Sequence, residues 1–307
     1  MFKILTIISP LFIIIFASAV LQRIKNISDN WMTVLNEYAL QIGLPALVFS
    51  ALSKTSFSFS ANAGLMLANS AFLTGSFLLA LVAGKLFKLS KQSSRTLFMC
   101  LGFGNVAYLG IPILIEVSGA NVLPSASLIV ALYLFWKFTI GLGYLEYGQM
   151  TAKKGVITKV AKHLIKNPML IAVVLGIIFG SFQIPIPTVA GRAIEMVVAS
   201  VTPTVLVVIG LFIGRSSIGK LSEWVPVLIF SLFILLALPG LFYFSIKLAG
   251  FTTQAFSTTL IEATMPLAIT PFALADRYSL NKTFIARSIV LSTILSILSV
   301  PFWISVM

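Results

Sequence analysis

Proline interrupts long apolar segments at matching positions in the two halves of the chain. Pro45 and Pro112 are 67 residues apart, and Pro203 and Pro271 are 68 residues apart. A proline inside a helix lacks a hydrogen-bond donor and clashes with the preceding turn. In lipid the opened backbone must face protein, water or a ligand. The matching positions therefore predict a duplicated membrane protein in which the interrupted spans form the functional site.

Composition places nearly the whole chain in a bilayer. Of 307 residues, 59% are hydrophobic and 9% are charged, whereas about a quarter of the residues in an ordinary soluble domain are charged. Apolar runs of about 20 residues are long enough to cross the hydrocarbon layer as helices. Ten such spans are predicted, near residues 4–22, 31–53, 61–84, 96–117, 122–146, 167–183, 188–214, 224–247, 254–276 and 283–306. The first is interpreted as a retained span, because no cleavage pattern follows it.

Basic residues lie mainly on one side of the predicted membrane. The loops after odd-numbered spans carry sixteen of them: Arg23, Lys25, Lys85, Lys88, Lys91, Arg95, Lys153, Lys154, Lys159, Lys162, Lys166, Arg215, Lys220, Arg277, Lys282 and Arg287. The opposite side carries four: Lys3, Lys54, Arg192 and Lys247. The excess predicts an integral multi-pass protein of the plasma (bacterial inner) membrane with both termini outside the cytoplasm. The net charge of +13 is thus interpreted as topology and lipid attraction, with no nucleic-acid partner.

The chain is predicted to be an inverted repeat. The longest polar stretch, residues 147–166, lies at its middle and joins spans five and six. Five spans in each half is an odd number, so the second half enters the membrane in the opposite orientation. The predicted fold is an all-α membrane protein with ten transmembrane helices in a 5+5 inverted repeat. Residues 1–152 form the first repeat, 153–166 a basic cytoplasmic linker, and 167–307 the second repeat.

Spans four and nine contain the residues least compatible with a continuous helix. Span four has three glycines, Asn105 and Pro112 within eleven residues, and span nine has Pro266 and Pro271. In a helix interior glycine costs about 1 kcal/mol and proline about 3 kcal/mol relative to alanine. Both spans are therefore predicted to break in mid-membrane. At such a break the N-terminal end of a half-helix suits a carboxylate, and the C-terminal end suits a cation.

Three polar residues lie deep in the predicted spans. Asn105 is about halfway along span four. It is expected either to contact the substrate or an ion, or to cap the opened backbone. For Glu262, in span nine, sodium ligation, proton carriage and a buried ion pair are all open, because an ionised carboxylate there needs a partner or a cavity. Lys137 in span five is about 13 Å from the cytoplasmic interface at 1.5 Å per residue, so it is expected to face the protein interior. It either neutralises a substrate carboxylate, pairs with Glu262 or replaces a coupling cation.

Enzymatic chemistry has no support in the sequence. Neither an HExxH nor a GxSxG motif occurs, and Cys100 is the only cysteine. No enzyme activity, no resident cofactor and no metal cluster are therefore predicted. Sodium, at Asn105 and Glu262, and a proton are the candidate coupling ions.

The order of these motifs resembles the auxin efflux carrier family of permeases, with bacterial malate or malonate permease-like members and plant PIN-type carriers. The resemblance runs essentially end to end. It rests on Leu44-Pro45-Ala46, Gly104-Asn105, Gly110-Ile111-Pro112, Asn167-Pro168, Met265-Pro266 and Ala275-Asp276-Arg277-Tyr278.

This resemblance implies that spans four and nine cross at unwound centres, and that a transport region moves relative to a scaffold. Asn105 matches the substrate-contacting asparagine of the family, whereas the second-repeat polar position falls on Leu267. More distantly, the segments at Asn105 and Glu262 look like those that ligate sodium in bile acid sodium symporters. Lys137 departs from that pattern, because an ammonium group would repel a bound sodium ion.

The leading hypothesis is a secondary active permease that moves a small organic anion, such as a mono- or dicarboxylate, by alternating access. The residues expected to bind it are Gly104, Asn105, Pro112, Pro266, Thr270 and Lys137. The alternative is a cation/proton exchanger on the same scaffold that uses Glu262 and Lys137. A membrane sensor or partner subunit is a third hypothesis, disfavoured by the lack of an extramembrane domain. The expected partners are the lipid bilayer and the anion, and carriers of this pattern are often homodimers.

Overall fold

A computed structural model describes residues 2–25, 27–55, 59–147, 156–216 and 221–307. The regular elements of these residues are helices, as the sequence predicts. The helices of the first half are α1 (Phe2–Lys25), α2 (Asp29–Tyr38), α3 (Leu44–Ser53), α4 (Phe59–Leu86), α5 (Lys91–Gly102), α6 (Ile111–Ser118), α7 (Leu123–Trp136) and α8 (Gly143–Tyr147). Those of the second half are α9 (Val156–Ile165), α10 (Pro168–Ser181), α11 (Thr188–Arg215), α12 (Val225–Leu232), α13 (Leu238–Leu248), α14 (Ser257–Ala263), α15 (Thr270–Tyr278) and α16 (Lys282–Val306).

Seven helical segments in the described part of the chain are long and apolar enough to cross a membrane. They are Phe2–Lys25, Asn30–Ser53, Asn62–Leu86, Ala120–Tyr147, Thr188–Arg215, Val225–Leu248 and Lys282–Val306. Each coincides with one of the ten predicted spans. The other three, near 96–117, 167–183 and 254–276, contain shorter helices. The longest of these is α10 with 14 residues, or about 21 Å against a hydrocarbon layer of about 30 Å.

Two pairs of helices approach each other closely through glycines four residues apart. Helix α10 packs on α3 through Gly176 and Gly180, and α11 packs on α1 through Gly210 and Gly214. A Cβ atom at any of these four positions would collide with the partner helix. Close helix packing through a pair of glycines therefore occurs twice in the described residues.

Several prolines lie within continuous helical segments. Five-residue π-helical turns precede α3, α6 and α13, and each of these helices has a proline as its second residue: Pro45, Pro112 or Pro239. The wider turn shifts the carbonyl that a proline ring would otherwise meet. Pro203 lies within the continuous helix α11. The prediction that Pro45 and Pro203 interrupt their spans is therefore wrong.

The predicted linker at residues 153–166 is helical over most of its length. Helix α9 occupies Val156–Ile165, and His163 stacks on Phe138 with 6.1 Å between ring centroids. The predicted boundary between residues 152 and 153 lies outside the described residues.

Candidate functional site

The first break separates α5 from the π-helical turn before α6. Helix α5 ends at Gly102, residues 103–105 are non-helical, and the π-helical turn runs over Val106–Gly110. Pro112 is the second residue of α6. The π-helical turn before it accommodates its ring within one continuous helical segment, Val106–Ser118. Pro112 therefore does not form the break, which the sequence places correctly in span four but which lies seven to nine residues earlier.

The second break separates α14 from α15. Helix α14 ends at Ala263, and α15 begins at Thr270. Pro266 lies within the break, and Pro271 occupies the first turn of α15, where it is tolerated. The predicted interruption of span nine is thus present over residues 264–269.

The two breaks meet and pair as a short antiparallel bridge centred on Gly104 and Leu267. The amide of Asn105 donates to the carbonyl of Pro266 at 2.8 Å, and the amide of Ala268 donates to the carbonyl of Phe103 at 2.9 Å. Buried backbone groups need such partners, because leaving one unsatisfied costs about 1–3 kcal/mol. At this contact between the two breaks, here called the crossing, each broken helix supplies hydrogen-bond partners for the open backbone groups of the other.

A serine of α16 accepts a hydrogen bond from a further backbone amide of the second break. The amide of Leu267 donates to Oγ of Ser292 at 3.1 Å. Ser292 was not among the predicted site residues. Its signal is a series of buried serines, Ser288, Ser292 and Ser296, that recurs every four residues along one face of α16.

Lys137 faces the protein interior, as predicted, and contacts the first break. Its side chain is buried, with 7% of the residue exposed, and Nζ donates to the carbonyl of Gly104 at 3.0 Å. The ammonium also lies 5.2 Å from the ring centroid of Phe103 and 5.3 Å from that of Tyr133. Its charge sits close to the C-terminal end of α5, where the helix dipole favours a cation. Tyr133 was also missed, although its position four residues before Lys137 places both on one helix face.

Glu262 lies beside the crossing at the end of α14. The residue is 1% exposed, and its two carboxylate oxygens accept no hydrogen bond from the described residues. A Cβ at Gly110 would collide with this carboxylate. Glu262 shares a cavity of about 20 Å³ with Gly104 and Tyr133, and the Tyr133 hydroxyl is likewise buried without a partner in the described structure. The volume suits about one water molecule.

Asn105 is 5% exposed. Its backbone carbonyl accepts from the amides of Leu109 and Gly110 at 3.2 and 3.0 Å, but its side chain does not cap the following turn. This disfavours the interpretation of Asn105 as a cap for the opened backbone.

The predicted site residues separate into two groups. Gly104, Asn105 and Pro266 take part in the crossing itself, and Lys137 contacts it directly. Pro112 is buried in α6, and Thr270 is an exposed residue at the start of α15, so these two lie along the half-helices that leave the crossing. Lys137 and Glu262 do not form a direct ion pair.

Comparison with known proteins identifies the family. The family profile described as "Membrane transport protein" matches residues 3–304. The chain belongs to this family. It is the auxin efflux carrier family that the sequence motifs indicate, and this chain is an integral multi-pass membrane protein.

Three proteins of other organisms are similar to this chain over nearly their whole length. A protein of Methanocaldococcus jannaschii named as an uncharacterized transporter is 25% identical, over 90% of each chain. One of Methanothermobacter thermautotrophicus with the same description is 23% identical, over 97% of this chain and 96% of its own. A protein of Rhizobium meliloti named "Putative malonate transporter" is 21% identical, over 98% of this chain and 94% of its own.

Proposed function

We propose that this protein is a secondary active transporter of a small organic anion, a mono- or dicarboxylate, which it binds at the crossing of the two breaks. The observation that carries the proposal is the pairing of two broken apolar helices next to the buried side chain of Asn105, which does not cap the helical turn after the break. The name of the Rhizobium meliloti relative supports a dicarboxylate such as malonate as the first substrate to test.

The fold proposed for this function has ten spans in a 5+5 inverted repeat, with both termini outside the cytoplasm. Span four comprises α5 and α6, and span nine comprises α14 and α15. Helix contacts support the repeat. Span one (α1) packs against span seven (α11), and span six (α10) likewise packs against span two (α3). Inverting the two repeats exchanges these pairs, and both use glycines four residues apart.

Charge supports an anionic substrate. The side-chain amide of Asn105 supplies a donor, and the first amides of the helical segment after the break have no acceptor within that segment. Their partial positive charge favours an anion. Lys137 adds a full positive charge next to the first break, where its Nζ donates to the carbonyl of Gly104. In alternating access, rigid-body movement of the region that contains the crossing would expose these groups first on one side and then on the other.

Replacing Asn105 with Ala tests the proposal. In proteoliposomes with labelled malonate, succinate and acetate, the parent protein is expected to take up at least one anion saturably. Asn105→Ala should abolish that saturable uptake while leaving folded protein in the membrane. Asn121, exposed in a short turn outside the crossing, supplies the matched control, and Asn121→Ala should leave uptake intact. Unchanged kinetics in Asn105→Ala would remove that residue from the site.

A cation/proton exchanger on the same scaffold is the second candidate. It is favoured by Glu262, because a carboxylate buried without a donor is stable only with a proton, a cation or water close by. In this mechanism Glu262 and Lys137 bind and release the coupling ion. Proteoliposomes under an imposed sodium or pH gradient distinguish the two functions. Cation flux without an organic anion, abolished by Glu262→Gln, would favour the exchanger.

A further inference from the structure

A second cavity, of about 430 Å³, lies away from the crossing. It is lined by Met32, Phe212, Arg215, Ser216, Phe272, Lys282, Thr283, Ala286 and Arg287. The volume lies within the range of small-molecule sites. Among the described residues of this lining, three are cationic and none is acidic, while Phe212 and Phe272 form an apolar wall with 4.9 Å between their ring centroids.

The three cations are held in place by different partners. Arg287 pairs with Glu223 at 2.6 Å, and Lys282 pairs with Asp276. Arg215 donates to the backbone carbonyl of Ile27 at 2.8 Å. The carboxylates belong to half-exposed or exposed side chains outside the cavity lining. They fix the cations without occupying the cavity.

Arg287 retains an unused donor. The residue is 7% exposed and lines the cavity. Its Nε is buried and has no acceptor among the described residues. A buried donor of this kind costs about 1–3 kcal/mol unless a ligand or water supplies an acceptor. The cavity therefore combines fixed positive charge, an unsatisfied donor and an apolar wall, which is the chemistry that a small organic carboxylate requires.

The position of the cavity relates it to the crossing. Phe272 is the third residue of α15, directly after the second break, and Lys282 is the first residue of α16. The cavity thus extends from the first turn of α15 to the end of α11 that carries Arg215 and to the beginning of α16. On the proposed topology these ends are cytoplasmic.

We propose that this cavity is a second anion site, which holds a small carboxylate on the cytoplasmic side before it enters, or after it leaves, the crossing. The assignment of the cavity to the cytoplasmic side of a transport path rests on the proposed function. Its chemistry rests on Arg215, Lys282 and Arg287 alone.

A cysteine on the cavity wall measures this electrostatic environment directly. Thr283→Cys places a thiol there, and the parent protein, whose Cys100 is buried, supplies the blank. In nanodiscs of zwitterionic lipid, the rates of modification by an anionic and a cationic methanethiosulfonate are compared. Their ratio cancels changes in thiolate fraction, because both reagents attack the same thiolate.

The anionic reagent is expected to react faster. Adding Arg287→Gln or Lys282→Gln should lower the anionic-to-cationic ratio by about fivefold to tenfold, the effect of one charge about 7 Å away in water. Lys282 is exposed, so its variant remains informative if Arg287→Gln folds poorly. Arg192, an exposed residue near the opposite end of α11 from Arg215, is the matched control, and Arg192→Gln should leave the ratio unchanged. A ratio insensitive to Arg287 and Lys282 would overturn the proposal.

Protection of the introduced thiol by ligand then tests occupancy. Malonate, succinate, acetate and inorganic phosphate are each added at increasing concentration to the Thr283→Cys protein, and at least one carboxylate should slow modification. This protection should persist when Asn105→Ala is added. Loss of protection in that double variant would place the anion at the crossing only, overturning this inference and leaving the proposed function intact. Protection by phosphatidylglycerol in the nanodisc, with none from the solutes, would make the cavity a lipid headgroup site and also overturn it.

Discussion

The two breaks have paired backbones but different surroundings. The first spans residues 103–105, so it contains the side-chain amide of Asn105, and it accepts a hydrogen bond from the ammonium group of Lys137. The second spans residues 264–269, and its central residue, Leu267, has an apolar side chain and an amide satisfied by the neutral hydroxyl of Ser292. The first break is thus the polar side of the crossing, and the second break is its apolar side. Recognition of a charged solute would depend mainly on the first break.

The paired backbone also limits what the crossing can offer a solute. The amides of Asn105 and Ala268 donate across the bridge, and that of Leu267 donates to Ser292. Because these donors are already engaged, specificity at the proposed site would come from side chains and from the helix termini that leave the breaks. A substitution that alters the charge beside the first break should therefore have a larger effect than one that alters the second.

Loss of the Lys137 charge is expected to have the largest effect. Lys137→Met keeps the length and apolar stem but removes the hydrogen bond to Gly104 and the ammonium group. Hydrogen bonds to charged groups contribute about 1.5–3 kcal/mol, so kcat/KM for anion uptake should fall by about tenfold to a hundredfold. The measurement is the initial rate of uptake into proteoliposomes over a range of anion concentrations.

Lys247 provides the matched control for that experiment. It also lies near a tyrosine ring, 4.6 Å from the centroid of Tyr243, but it is exposed near the end of α13. Lys247→Met should leave uptake unchanged. Equal uptake by Lys137→Met and the parent protein would show that the polar character of the first break is unimportant for transport.

The glycines around the first break should differ sharply in their tolerance of a methyl group. A Cβ at Gly110 would collide with the Glu262 carboxylate, whereas the nearest atom to a Cβ at Gly104 is 3.8 Å away. Gly110→Ala should lower the free energy of unfolding by about 1–3 kcal/mol, as overpacking does. Gly104→Ala should change it by less than about 1 kcal/mol. Thermal unfolding in detergent measures both, and equal destabilisation would contradict the proposed packing of α14 on the first break.

Sequence reasoning identified which spans break, because glycine, asparagine and proline all lower helix stability at those sites. It placed Lys137 correctly in the interior, because a lysine so far from the interface cannot extend to water. It misjudged the prolines, since a π-helical turn accommodates Pro45 and Pro112 and leaves no local sign in the sequence. The cavity at Arg287 was also missed, because it is assembled from residues up to about 250 positions apart.

The smallest predicted effect concerns the support of the second break by α16. Ser292→Ala leaves the buried amide of Leu267 without its acceptor, so it should lower the free energy of unfolding by about 1–2 kcal/mol. Ser288 lies one turn earlier on the same face, is equally buried, and its hydroxyl has no partner in the described residues. Ser288→Ala should therefore change stability by less than about 0.5 kcal/mol. The difference between the two midpoints of thermal unfolding isolates the hydrogen bond from the loss of a serine. Equal midpoints would mean that the second break needs no support from α16, and that the pairing with the first break alone holds it open.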